Sequence, residues 1–376
     1  MGVMANIKDL SNTWNNIKEI DLRPLALEAG RSLVCAIVGR PDTGRDALAQ
    51  RMRSDPHRPE MVVQTPLILA DVDSPPDAAG VDVFILLIAA DTPDDNQERR
   101  LAQIWATSAK PVLVCLLQPQ PVLRGQELPS GMEHWANWGQ RRVVVGMLED
   151  EKFLLNVFVP ALLRLLPGRH LALGRQFPLT RHAVANQLVN DSCFSNAAYA
   201  LSTGIAEIVP VFDIPLNITD MLVLTKAQAF LVYKLGLALG MSTHWQDYIT
   251  EFGSVLGSGF LWRQVARQLV GLIPVWGIIP KVAVSYAGTY VVGHVVLQWY
   301  LTGRHLNRQQ MRQLYSQAFV RGRQLAGKLF KGRLKAGKSK VKQLPKVAGG
   351  RVCSTCGKTS SADAQFCQYC GQTLQT

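Results

Sequence analysis

At 376 residues with 48% hydrophobic content, the chain has room for two ordinary domains plus a small appendage, and global disorder is excluded. Its net charge of +12 is unevenly placed: residues 1–251 hold 22 Lys+Arg against 27 Asp+Glu, while residues 252–376 hold 18 against Asp363 alone. So long a stretch almost without carboxylates calls for a polyanionic partner, either an anionic membrane surface or a nucleic acid, and composition does not choose between them.

Residues 1–29 read as a helical lead-in. Asn6, Lys8, Asp9, Asn12 and Lys18 leave no apolar run that could act as a signal-peptide core, so the N-terminus is expected to stay in the cytoplasm. Ser32-Leu-Val-Cys-Ala-Ile-Val-Gly39 then reads as a buried strand, and a helical pattern runs from Asp46 to Met52. Between them lies Gly39-Arg-Pro-Asp-Thr-Gly44-Arg45-Asp46. Strand, glycine-bearing loop and helix is the order in which backbone amides wrap a phosphate. Further strands are expected from Pro66 to the acidic turn Asp71-Val-Asp73-Ser-Pro-Pro76, over Val81–Ile88, over Pro111–Leu117 after a polar stretch Ala106–Lys110, and over Arg142–Gly146.

Over roughly residues 30–165 this series of strands and loops resembles the Ras-like GTPases. The resemblance implies an α/β P-loop domain in which Gly39, Gly44 and Arg45 are the cofactor-binding candidates. The sequence departs from the family at three signatures. The lysine and hydroxyl that meet the terminal phosphates and magnesium are replaced by Arg45 and Asp46, and a carboxylate there puts negative charge beside a triphosphate. Pro76 stands at the glycine of D-x-x-G and has no N–H to give a γ-phosphate. Leu117, Gln118 and Gln120 stand where the guanine reader N-K-x-D belongs, without the carboxylate that accepts the base's N–H groups. The expectation is a pseudo-GTPase head with no catalytic residues and with GTP binding in doubt. Atypical nucleotide binding through Gly39, Gly44 and Arg45 is the alternative. The blandest reading is a strand-to-helix turn in an unrelated α/β domain.

From about Leu154, apolar helical stretches broken by proline and glycine replace the strands, and an all-α hydrophobic domain is expected over 170–325. Its Asp213-Ile-Pro215 and Ile273-Pro-Val-Trp-Gly277 elements resemble a helical domain of unknown function found after Ras-like domains in bacteria, including the YcjF-like membrane proteins. That resemblance implies membrane association and brings no catalytic residues. Residues 282–301 carry no formal charge over twenty positions, just enough to cover a hydrocarbon core of about 30 Å. Trp276, Trp299 and Tyr300 suit the interfaces, and Ser285, Thr289 and Gly293 recur every four residues as a face for close helix contact. A single crossing would put the two ends of the chain on opposite sides. Residues 268–280 hold Pro274 and Pro280, and residues 221–241 hold Lys226 and Lys234, so neither is a clean second span. A re-entrant or interfacial hairpin at the cytoplasmic face is preferred. A soluble domain with 282–301 as its buried central helix, and an even number of crossings, stay open. His294 is expected to be a satisfied core histidine rather than a ligand.

Residues 304–351 hold fourteen Lys+Arg and no acid, with Met311, Leu314, Leu325, Leu329 and Phe330 as an intermittent apolar side. Such a segment suits anionic headgroups or nucleic-acid phosphates, a solvated basic helix with no specific partner being the alternative, and 326–350 is expected to end as a basic flexible linker. Cys35, Cys115 and Cys193 are isolated in apolar surroundings, whereas Cys353-x2-Cys356 and Cys367-x2-Cys370 form two matched pairs, each followed by glycine. Four thiolates complete a tetrahedral set and saturate it, so a structural zinc is expected, with no open position for catalysis. Residues 351–376 resemble the zinc-ribbon tails of bacterial proteins. Together these readings predict a non-catalytic, membrane-associated scaffold in which the head and the ribbon contact protein partners. A GTP-binding protein and a nucleic-acid binder using the tail and ribbon are the alternatives.

Overall fold

A computed structural model describes residues 22–90, 96–118, 128–129, 131–138, 142–206, 218–245, 247–248, 278–304, 306–341, 351–352 and 359–360. Gln120, Asp213-Ile-Pro215, Ile273–Gly277, the four C-terminal cysteines and most of the lead-in lie outside the described residues. The chain divides into two units, 1–323 and 324–376.

In the first unit α1 (Arg23–Gly30) precedes β1 (Cys35–Gly39), and a tight turn over Pro41–Thr43 leads to α2 (Arg45–Arg53). A small antiparallel hairpin follows, β2 (Ser54–Asp55) with β3 (Arg58–Val62). Then come β4 (Ile68–Ala70), β5 (Val83–Ala89), α3 (Asn96–Thr107), β6 (Val112–Leu117) and β7 (Val143–Gly146). Five strands form one all-parallel sheet in the order β4-β1-β5-β6-β7. Cys35–Val38, Val83–Ile88 and Val112–Leu116 are buried at every position, as expected of parallel strands covered on both faces.

Alternate residues feed two cores. Ile37, Ile85, Leu87 and Leu113 join Leu48, Met52 and Phe158 on one face, and Val38, Phe84, Leu86 and Val114 join Ala102, Trp105 and Trp135 on the other. The five sheet strands fall within a few residues of their predicted positions. Helix α3 was not foreseen, and it reaches into the stretch read as a polar connection. Its Trp105 lies flat on Phe84, with ring centroids 4.1 Å apart and 5° between planes, which explains why this helix is held there.

The first core runs on into helices. α4 (Glu151–Phe153) passes through a wider π-helical stretch, Leu154–Phe158, into α5 (Val159–Leu165), and α6 (His170–Gln176) follows. Gln176 ties this layer to the sheet: its side-chain oxygen accepts from Leu33 N–H at 3.0 Å, and its carbonyl accepts from the Thr65 hydroxyl. Arg169 adds a 3.6 Å pairing with Asp82.

Beyond them lie α7 (Arg181–Ala206), α8 (Ile218–Ala238), α9 (Ile278–Thr302) and α10 (Arg308–Val341). The stripe Ser285, Thr289, Gly293 is the contact of α9 with α7. A Cβ on Gly293 would come within 2.7 Å of Val189. Ser285 Oγ donates to Asn196 O at 3.1 Å, and Asn196 Nδ2 donates to Thr289 Oγ1 at 2.9 Å. This buried polar rung fixes the register of two otherwise apolar helices, whose Val189, Cys193, Val292 and Val296 share a core with Leu231 and Leu235 of α8. His294 is held as expected, its Nδ1 3.0 Å from Tyr290 O and its ring stacked on Tyr290. Among the described residues no helix is long and apolar enough to cross a membrane.

α10 starts at a reciprocal cap: Gln310 N–H donates to Asn307 Oδ1 and Asn307 N–H to Gln310 Oε1, both at 2.9 Å. Its Met311, Tyr315 and Ala318 are buried with Ala287, Val291 and Val295 of α9. In the second unit the helix continues to Val341, through part of the stretch read as a linker. There β8 (Arg351–Val352) and β9 (Thr359–Ser360) pair antiparallel, Val352 opposite Thr359.

Candidate functional site

The chain leaves β1 towards β4 on one side and returns to β5 on the other. The crevice outside the carboxyl ends of β1 and β5 is therefore the switch point at which open parallel sheets bind ligands. The loop carrying Gly39, Gly44 and Arg45 sits there. Gly39 lies opposite Leu87, and a Cβ on it would press on Thr43 Oγ1 and come within 2.9 Å of Leu87 O. Gly44 takes φ +77°, the left-handed turn that starts α2, and faces Leu148 closely.

Thr43 closes the loop on itself. Its N–H donates to Arg40 O at 3.1 Å, its hydroxyl donates to the same carbonyl at 2.7 Å, and the residue is buried. An amide and a hydroxyl that a phosphate-wrapping loop needs for its ligand are thus spent within the turn.

Two ion pairs lie over it. Arg45 Nη1 is 3.7 Å from Asp71 Oδ2, and Arg40 Nε is 3.2 Å from Glu98 Oε1. Glu98 is 7% exposed, while Asp46 points to solvent. Asp71 also accepts from Asp73 N–H, and Asp73 accepts from Gln97 Nε2 at 2.8 Å. The acidic turn is thereby tied to α3. The two guanidiniums over the turn are thus matched by carboxylates, and exposed Asp42 and Asp46 add negative charge beside it, which opposes a triphosphate.

At the neighbouring strand end, Gln118 N–H donates to Gly146 O at 2.9 Å, and Leu117 packs against the core. Both complete the sheet. Sequence reading missed Thr43, Asp71 and Glu98 as shapers of this site. Glu98 had a visible signal, an acid in the first turn of a helix whose other buried positions are apolar, but its partner lies 58 residues away.

Among the described residues no group of three or more His, Cys, Asp and Glu is placed to hold a metal. Cys35 and Cys193 are buried with thiols pushed up to about 12, and burial raises Cys115 further, so all three are inert.

A second polar cluster joins the β2–β3 hairpin to α7. The His57 and His182 rings stack with centroids 4.9 Å apart. Buried Asp55 sits 3.8 Å from His57 Nδ1 and 3.6 Å from Arg58. Burial, reinforced by His57, holds the His182 pKa below its usual value, with Asp55 opposing. This cluster has the character of a structural joint.

No known protein family matches the chain, and no curated protein matches it.

Proposed function

We propose that this chain is a non-catalytic scaffold: a Ras-like, P-loop-shaped pseudo-GTPase head without a working nucleotide site, joined to a helical region and a C-terminal zinc ribbon that meet its partners. One observation carries the reading. The loop at the switch point is closed by Thr43 on Arg40 O, and Arg45 and Arg40 are already paired with Asp71 and Glu98, so neither cation is free for a phosphate. Magnesium gains no hydroxyl from Asp46, and Pro76 gives no amide.

The thermal unfolding midpoint of the full chain with millimolar GTP or ATP and magnesium tests this, since any ligand of the folded state raises it. The reading expects no shift. A concentration-dependent rise would replace it with the GTP-binding alternative.

The zinc part rests on the donor set of two matched Cys-x2-Cys pairs. Cys353, Cys356, Cys367 and Cys370 would hold one ion as thiolates, and the ion supplies folding energy to a module too small for a core of its own. Elemental analysis should find one zinc per chain, lost on Cys356→Ser.

The scaffold meets a membrane only peripherally. The uncharged run 282–301, the chief motive for a hairpin in lipid, spends its small face on α7 and its valines on α8 and α10. Contact with a polyanion then falls to the basic helix.

A further inference from the structure

The exposed side of α10 between Arg308 and Arg323 carries arginines and glutamines and no acid. Its back is fixed: Met311, Tyr315 and Ala318 are buried on α9, and a Cβ on Gly322 would come within 2.9 Å of the Ala283 backbone. That packing turns Gln309, Gln313 and Gln317, spaced every four residues, out to solvent along the centre of the front face. Exposed Arg308, Arg312 and Arg323 follow one border of that line. Arg321 stands on the other border, with its guanidinium 5.8 Å from the centre of the Tyr290 ring. Among the described residues none of these four arginines is in an ion pair with a carboxylate, and from residue 252 onward the sequence has no acid but Asp363.

Cations on two borders with amides between them suit a groove with two charged walls and a polar floor. A bilayer is a poorer match, because it meets one side only and is held by an inserted apolar face. Here the apolar face is used up on α9, and Val320 is the one large apolar side chain exposed on the front. The major groove of B-form DNA is about 12 Å wide and admits a helix about 10–12 Å across. Arginine serves its phosphates and guanines, and glutamine pairs edge-on with adenine. The A-form RNA groove is too deep and narrow to be entered this way.

We propose that this face of α10 docks into the major groove of duplex DNA, with Arg308, Arg312 and Arg323 along one phosphate wall, Arg321 on the other, and the three glutamines over the base edges. The proposal rests on the reading of the basic helix as the partner-binding part and is independent of the state of the head, which the nucleotide melts report separately.

Fluorescence anisotropy of the full chain with a labelled DNA duplex tests it, alongside an RNA duplex of the same sequence and vesicles containing phosphatidylserine. Four phosphate contacts predict that affinity for DNA falls about 150-fold between 50 and 200 mM salt. The triple variant Arg308→Gln, Arg312→Gln, Arg323→Gln should lower the slope of log affinity against log salt by about 2.7 while keeping the helical circular-dichroism signal. Arg323→Gln alone should lower it by about 0.9, which keeps the test readable if the triple variant misfolds. Gln313→Ala with Gln317→Ala should leave the slope and reduce discrimination between DNA sequences. No DNA affinity at 50 mM salt, equal or tighter binding to RNA or vesicles, or an unchanged slope in the arginine variants would each overturn the proposal.

Discussion

The turn after β1 and the small-residue stripe of α9 are the two places where the sequence asks for something outside the chain, a phosphate in one case and a bilayer in the other. In both, the structure supplies an internal partner instead. At the turn those partners are charged and, apart from Glu98 at 7%, only partly buried: Arg40 is 39% exposed, and Arg45 and Asp71 are 17% and 26% exposed. Exposed pairs contribute roughly 0–1 kcal/mol each, so the turn is closed by charge matching and not by packing energy. Along the stripe, Ser285, Thr289 and Gly293 are locked by two buried hydrogen bonds and by direct methyl contact, which nothing displaces without unpacking the helices. The lesson is that the apolar run is accounted for by packing energy, whereas the closed turn of the head rests on charge pairing and one hydrogen-bonded side chain.

The sharpest way to break this comparison is Gly293→Val. With Val189 2.7 Å from the new Cβ, overpacking should cost about 3 kcal/mol, read as a lowered urea midpoint at unchanged m-value. A variant as stable as the parent would mean that the face is free, as it would be in lipid. Next in size is Asn196→Ala, which leaves the Thr289 hydroxyl without its buried donor and should cost about 2 kcal/mol. Thr43→Ala should cost only about 1 kcal/mol, because one neutral hydrogen bond to Arg40 O is lost and the Arg40 carbonyl keeps the Thr43 N–H as a donor. A much larger loss would show that the turn is as rigidly built as the stripe.

The smallest effect concerns the joint of head and helices. His182 is neutral by preference in the fold, since burial and then His57 lower its pKa from the ordinary 6.5. The unfolded chain therefore takes up a proton first as pH falls below 6.5, and stability declines until the folded-state value is passed. His294, lowered mainly by burial, adds in the same direction. Urea midpoints at pH 7.5 and 5.5 should differ accordingly, and His182→Gln should narrow the gap.

The parallel sheet was legible because its strands are short apolar runs closed by turn residues, a signal contained in each run. The stripe on α9 was legible as a close-contact face for the same reason, although its partner α7 was not. Helix α3 was missed because Asn96–Arg100 is polar throughout and its stabilising contact, Trp105 on Phe84, is made with a distant strand. The same holds at the turn: the pairing of Arg45 with Asp71, and of Arg40 with Glu98, arises only through a sheet order that sets strand ends side by side. The extent of α10 was underread because Gly337 and the dense lysines suggested a linker, while Leu, Ala, Lys and Arg are good helix formers.

Isothermal titration of the full chain with magnesium and GTP, run beside Thr43→Gly, tests the central claim most directly. The account expects no saturable heat at millimolar nucleotide for the parent, and none for the variant while Asp46 and Glu98 remain. Stoichiometric binding by the parent would contradict it.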